Sequence, residues 1–265
     1  MLIFINHDDI RSLELMEELI RRGYYVSDQF KDMKYADVIY LGLKGIDNKN
    51  RLSTGQETIC ISEETFNELK ENVLVYTLVE NKILRDYAYK GKLKYCALLN
   101  DEDFIKKNSI LTAEGLISYL IKHRRFPLYE SRVLILGYGY CAKPIAEYLK
   151  VMKAKVSVAV RNHKYQQEIE ELDYCYEDIS ELNLANYDVI INTVPSLVVK
   201  QEGLDQVKKD VMIVDIASYP YGIDHHYAMS QGLNSIILPS IPCKYAYGYA
   251  GRIIADQIER ELEND

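Results

Sequence analysis

The sequence predicts an α/β protein of two parallel-sheet domains, the second of them a dinucleotide-binding domain of the Rossmann type. Three observations lead there. Residues 132–160 read as strand, glycine-rich turn, helix and strand. The first hundred residues also alternate strand-like and helix-like segments. Beyond residue 160 more short apolar runs follow, making six strands in about 110 residues, the content of a full doubly wound sheet.

The glycine-rich turn comes first. The apolar run 133–136 has strand length and ends in Gly137-Tyr138-Gly139-Tyr140-Cys141-Ala142, a G-x-G-x-x-A fingerprint. Gly137 allows the tight turn, Gly139 leaves room for a pyrophosphate, and Ala142 lets the helix approach the strand. Ile145, Ala146, Leu149 and Met152 mark one face of that helix, and 156–160 is the second strand. The helix N-terminus offers N–H groups and a positive dipole end to phosphates. Gly137, Gly139, Tyr140, Cys141 and Ala142 are therefore candidate cofactor-binding residues. Cys141 reads as a small spacer rather than a reactive thiol. An NAD site carries an acid at the end of the second strand. Here that end is Val160-Arg161-Asn162-His163. Arg161 suits a 2′-phosphate, Asn162 and His163 add donors, and NADP is favoured over NAD.

The first domain is expected to span 1–107. Its strands are 2–5, 24–26, 38–41, 58–61, 73–77 and 95–98; its helices are 10–22, 64–71 and 81–90. Leu13, Met16, Leu19 and Ile20 give helix 10–22 its apolar face, and Gly23 ends it. Asn6-His7-Asp8-Asp9 stands where a glycine fingerprint would be, so this domain is not expected to hold the cofactor. A linking helix lies within 108–130, with Thr112 as a candidate N-cap. The nucleotide domain follows over 131–250. The final segment, 251–265, is helical, with Ile254, Ile258 and Leu262 in step, and is expected to return to the first domain.

Later strands of the nucleotide domain are 174–176, 189–192, 211–215 and 235–238. Their carboxyl ends should border one crevice. Asn192, Thr193 and Pro195 are expected beside the nicotinamide. Asp215 contacts the cofactor or is a buried, hydrogen-bonded carboxylate. Ser218 can donate to a substrate carboxylate, and Tyr219 can orient or protonate. Asp224 and His225 begin a helix. One reading makes His225 an acid or base; the other makes a polar helix start capped by Asp224. Adjacent His226 points about 100° away on a helix, so at most one of the two faces the site. The substrate is expected between the two domains.

Composition narrows the partners. The 265 residues carry a net charge of −8 with no basic run, which argues against nucleic acid. No apolar stretch is long enough to span a bilayer, and 1–12 lacks a signal-peptide pattern. The five cysteines have no metal spacing and read as reduced thiols of a cytoplasmic protein. No residue cluster suggests a metal. The 23 tyrosines, with no tryptophan, suit the core, the surface and a subunit contact in a homo-oligomer.

From Asn108 onward the chain resembles the family of the dipicolinate synthase A-subunit. The family's N-S-I-P-T-x-E-G segment matches Asn108-Ser109-Ile110-Leu111-Thr112-Ala113-Glu114-Gly115. Its I-N-T-I-P-S matches Ile191-Asn192-Thr193-Val194-Pro195-Ser196. Its D-L-A-S-R-P-G-G-x-D matches Asp215-Ile216-Ala217-Ser218-Tyr219-Pro220-Tyr221-Gly222-Ile223-Asp224. The resemblance implies an NADP-type oxidoreductase that dehydrogenates dihydrodipicolinate or a related small carboxylated substrate. It also implies a partner, a flavoprotein-like B subunit, and a role in endospore formation (sporulation). Three departures stand out. Tyr219 replaces the family arginine, a natural carboxylate clamp; Tyr221 replaces a glycine; and Tyr140-Cys141 replaces Arg-Thr. Lys44, Arg85, Lys143 and Lys244 are the cations to consider as substitutes for that arginine. The alternative reading is a non-catalytic nucleotide-binding sensor or scaffold protein derived from the family.

Overall fold

The structure, a computed structural model, describes residues 1–55 and 57–263. Residues 264 and 265, the end of the expected C-terminal segment, lie outside the described residues. The chain divides into two units: Met1–Asn108 with the segment from Ala246 onward, and Ser109–Tyr245.

The first unit runs β1 (Leu2–Ile5), α1 (Ile10–Arg21), β2 (Tyr25–Ser27), a 3-10 turn (Phe30–Tyr35), β3 (Val38–Tyr40), β4 (Arg51–Ser53), β5 (Thr58–Cys60), α2 (Glu63–Asn67), β6 (Leu74–Thr77), α3 (Lys82–Lys90) and β7 (Lys94–Ala97). Five strands form one parallel sheet in the order β2-β1-β3-β6-β7. The expectation that strand 58–61 belongs to this sheet is corrected. β5 pairs antiparallel with β4 in a separate hairpin. A parallel sheet covered on both faces needs continuously apolar strands. β3 and β6 are buried at every position, whereas β4 buries only Leu52 and β5 is exposed at both ends.

Asp9 caps α1 by accepting from Ser12 N at 2.8 Å, and Gly23, at φ +90°, turns the chain out of it. The expected inward face is also corrected. Leu13 and Ile20 are exposed, while Arg11, Ser12, Glu14, Leu15 and Leu19 are buried. The C-terminal helix Tyr249–Glu263 covers that side of α1 within the same unit. A Cβ on Gly251 would fall 2.4 Å from the Glu14 backbone, so glycine sets this approach. Glu14 accepts from Gly251 N at 3.1 Å, and Arg22 pairs with Asp256 at 2.6 Å and Glu259 at 2.5 Å. Polar Arg11, Ser12 and Glu14 are thus buried on α1 beside Leu15 and Leu19, and residue-by-residue hydrophobicity selects only part of the stripe.

α4 (Glu102–His123) passes from the first unit into the second at Asn108. Thr112 is not its N-cap but lies buried in mid-helix; Asp101 accepts from Phe104 N at 2.8 Å at the start. Then follow β8 (Arg132–Leu136), α5 (Ala142–Val151), β9 (Lys155–Val160), α6 (Gln166–Glu171), β10 (Cys175–Asp178), β11 (Val189–Asn192), α7 (Gln201–Leu204), β12 (Met212–Asp215), α8 (His225–Ser230), β13 (Asn234–Ile237) and α9 (Ile241–Tyr245). The sheet order is β10-β9-β8-β11-β12-β13, all parallel. This is the doubly wound order in which the direction of strand addition reverses between β8 and β11, opening a crevice beyond their carboxyl ends. Ile135, Val158, Ile191 and Val214 pack on one side of the sheet. Leu134, Leu136, Ile190 and Ile213 pack on the other. Gly115 lets α9 lie close on α4, since a Cβ there would be 2.3 Å from Ile241 Cγ2. Among the described residues no helix is long and apolar enough to cross a membrane.

Candidate functional site

The turn after β8 is built by two glycines with different neighbours. Gly137 sits at φ +98°, and a Cβ on it would fall 2.5 Å from Thr193 Oγ1. It must stay small to pack against the loop after β11. A Cβ on Gly139 would meet nothing within 4 Å, so the space outside that residue is open. Ala142, the first residue of α5, is fully buried. A groove of about 340 Å³ starts at this turn. Gly137 and Gly139 line it together with Arg161 and Asn162 from the end of β9, Tyr165, and Ser196 after β11. Two motifs distant in sequence thus share one surface at the strand-order reversal.

Arg161 is exposed, and among the described residues it has no hydrogen-bond or ion-pair partner. Asn162 caps the short turn after β9 by accepting from Lys164 N at 3.0 Å. His163 lies 2.7 Å from Tyr176 Oη and 3.3 Å from Asp178 Oδ2. Asp178 pairs in register with Val160, so an acid does stand near the end of β9, on the neighbouring strand. Hydrogen bonds from Ser180, first its hydroxyl and then its backbone N–H, hold that carboxyl below its ordinary range. Tyr138 is buried beneath the groove, its ring edge-on to Tyr165 at 5.8 Å. Burial pushes its hydroxyl far up, so it stays neutral. Lys143 pairs with Glu168 at 2.7 Å, and Arg85 pairs with Glu80, so neither is a free substitute for the family arginine. Burial pushes the Cys141 thiol up, and its sulfur lies 3.7 Å from Ser109 Oγ, as suits a spacer. Tyr140 is exposed. Tyr138, Tyr165 and Ser196 carry no signal in the fingerprint beyond their proximity to it.

At the other strand ends the geometry matches the structural alternatives for Asp215, Asp224 and His225, and it turns Asn192 inward. Asn192 and Asp215 are both 0% exposed. Asn192 Nδ2 donates to Asp215 Oδ1 at 2.8 Å and to Val194 O at 3.0 Å, and its Oδ1 accepts from Val194 N. Asp215 also accepts from Ala217 N at 3.0 Å and Gly222 N at 2.8 Å, with His225 Nε2 at 3.3 Å. His225 Nδ1 lies 2.8 Å from Ser235 Oγ. Asp224 caps α8 by accepting from Tyr227 N at 2.9 Å. The register places Asn192 beside Asp215 on adjacent strands, so their side chains meet beneath the loops rather than above them. Their hydrogen bonds hold the loops after β11 and β12, and Asp224 and His225 serve the start of α8. Thr193 Oγ1 donates to Leu136 O at 2.8 Å, tying the same loop to the glycine turn. Pro195, Ser218 and Tyr219 are the exposed members of the expected set. Tyr219, before a cis Pro220, is 83% exposed, and its ring stands edge-on to Tyr221 at 5.8 Å.

A family model described as shikimate/quinate 5-dehydrogenase matches residues 120–238. The chain is 28% identical over 230 residues to the A-subunit of dipicolinate synthase from Bacillus subtilis (strain 168), covering 85% of this chain and 77% of that protein. The crystal structure of the dipicolinate synthase A-subunit from Bacillus halodurans superposes with a TM-score of 0.85 at 28% identity, covering 98% of this chain and 97% of that one. The corresponding crystal structure from Bacillus subtilis gives 0.86 at 25% identity, covering 100% and 96%. Strand order and glycine turn together define a Rossmann-type fold of two parallel-sheet α/β units. Within that class, the matches in sequence and structure support a likeness to the dipicolinate synthase A-subunit family, at divergent identity.

Proposed function

We propose that this chain is an NADP-dependent oxidoreductase that dehydrogenates dihydrodipicolinate or a related small carboxylated compound. The observation that carries the reading is the groove joining the open face of Gly139 to Arg161. That cradle fits a dinucleotide: a backbone a pyrophosphate can approach, a helix N-terminus beside it, and a guanidinium at the far end. When bound, the nicotinamide supplies the hydride chemistry. Gly139 and the start of α5 would hold the pyrophosphate, and Arg161 with Asn162 would hold the phosphorylated ribose. Ser218 and Tyr219 are the exposed polar groups after β12 and are assigned to the substrate. Ser218 donates to a carboxylate, and Tyr219 orients the ring from the position of the family arginine. The relative's designation as one subunit of a synthase supports a partner, read here as a flavoprotein-like B subunit.

Calorimetric titration tests the cofactor assignment. NADPH should bind roughly 10- to 100-fold more tightly than NADH, the effect of one or two charge-assisted hydrogen bonds. Arg161→Ala should remove most of that gap. Equal affinities in the unaltered chain would refute NADP specificity.

A further inference from the structure

The second unit carries an apolar groove of about 550 Å³ on its outer surface, between α4 and the C-terminal end of α5. Ile117 and Ile121 line it from α4, and Val151 and Met152 from α5. Ile121 is 48% exposed and Val151 is 74% exposed. Glu114 and Lys122 complete the lining. They lie eight residues apart on α4 (122 − 114), about 12 Å along the helix, with both isoleucines between them.

We infer that a second copy of this chain docks in this groove across a two-fold axis passing near Ser118. The charge arrangement selects this occupant. A two-fold interface must be complementary to itself. Ser118 is midway between Glu114 and Lys122, four residues from each (118 − 114 and 122 − 118). When two α4 helices run antiparallel about that point, Glu114 of each copy comes level with Lys122 of the other. Ile117 and Ile121 then meet Ile121 and Ile117 within about two residues of rise, roughly 3 Å. Ser118 is small and exposed, so the helices can approach to the usual packing distance of roughly 8–10 Å. An unrelated partner would place no such symmetric demand on the two charges. One helix pair buries less than the roughly 800 Å² per partner of a standard interface. Val151 and Met152, at the end of α5, widen the surface on the same side. This inference is independent of the proposed cofactor and substrate.

Sedimentation equilibrium of the full chain tests it. The chain should be a dimer. Ile121→Arg should weaken association at least about tenfold with an unchanged melting curve, because the side chain is half exposed and every substitution enters a two-fold interface twice. Val151→Lys should act the same way and serves if Ile121→Arg folds poorly. Glu114→Lys should also weaken the dimer about tenfold, and adding Lys122→Glu should restore it to within roughly threefold. A monomer at roughly 100 μM would overturn the inference. So would a dimer indifferent to all four changes, or a double reversal that stays weak. Groove variants that impair only the binding of another chain would overturn it as well.

Discussion

Gly137 and Gly139 lie two residues apart in the fingerprint, yet substitution should separate them cleanly. Gly139→Val places its branch in open space at an ordinary φ, so melting should shift by less than about 3 °C. The same branch occupies the approach of a pyrophosphate, and NADPH affinity should fall beyond calorimetric detection. Gly137→Ala does the reverse. Its left-handed φ and the 2.5 Å approach to Thr193 should cost about 1–3 kcal/mol of stability. Retained NADPH binding in Gly139→Val with a normal melt would place the nucleotide elsewhere. Asp215 belongs at this scale too. Asp215→Ala leaves Gly222 N, Ala217 N and the Asn192 amide without their buried acceptor, a loss of about 3 kcal/mol in urea unfolding. A loss below about 0.5 kcal/mol would mean the network is replaced by water. The fingerprint glycines and Arg161 were legible from spacing and residue type. For Asp215 and His225 the sequence left two readings open, and the pairing of Asn192 with Asp215 was not legible, because it depends on which side chains the strand register brings together.

At the scale of elements, α1 and its cover show where periodicity stops. A stripe of Leu13, Met16, Leu19 and Ile20 marks a helix correctly but only part of the face it buries, since Leu19 is buried while Leu13 and Ile20 are exposed. The C-terminal helix meets α1 through Glu14, Gly251 and the Arg22 cluster instead. Arg22→Ala should remove about 1 kcal/mol, since Asp256 and Glu259 lose their shared cation at a partly exposed site. Hydrogen exchange of helix 249–263 should accelerate at pH 7, and unchanged exchange would contradict the clasp. The pH dependence follows from Glu18. The Arg21 hydrogen bond, then that of Arg22, holds its carboxyl down to about 2. Its folded pKa lies below its unfolded value, so its contribution is complete above the ordinary carboxylate range near ~4.3. That contribution is lost as pH falls from there through about 2. The stability difference between Arg22→Ala and the unaltered chain should therefore shrink over that interval. A difference that stays constant down to pH ~2 would assign the effect to packing of the arginine stem. The β4–β5 hairpin carries a similar lesson: β propensity identified strand 58–61, but its polar alternation decided which sheet it joins.

At the scale of the whole molecule, the proposed function couples a nucleotide to a loop bearing tyrosine in place of arginine. NADPH at about 100 times its dissociation constant should stabilise the chain by about 2.7 kcal/mol. Tyr219 is largely exposed, so Tyr219→Arg has room and should leave the melting temperature nearly unchanged. With NADPH present, the arginine variant should bind dipicolinate more tightly than the unaltered chain does, by roughly tenfold or more for one bidentate carboxylate pair. Binding by neither chain would remove the carboxylated-ring substrate and favour the nucleotide-binding scaffold. By itself, the sequence determined both α/β units, six strands of the nucleotide sheet, the glycine turn and the arginine that follows β9. Those features are local: a strand-length apolar run, a glycine pair and a missing acid are written in consecutive residues. Tertiary structure alone decided the strand orders, the separation of the hairpin, the buried face of α1 and the pairing of Asn192 with Asp215. Each depends on a partner distant in the chain, and a side chain's free energy changes sign with whether that partner buries it, bonds it or leaves it to water.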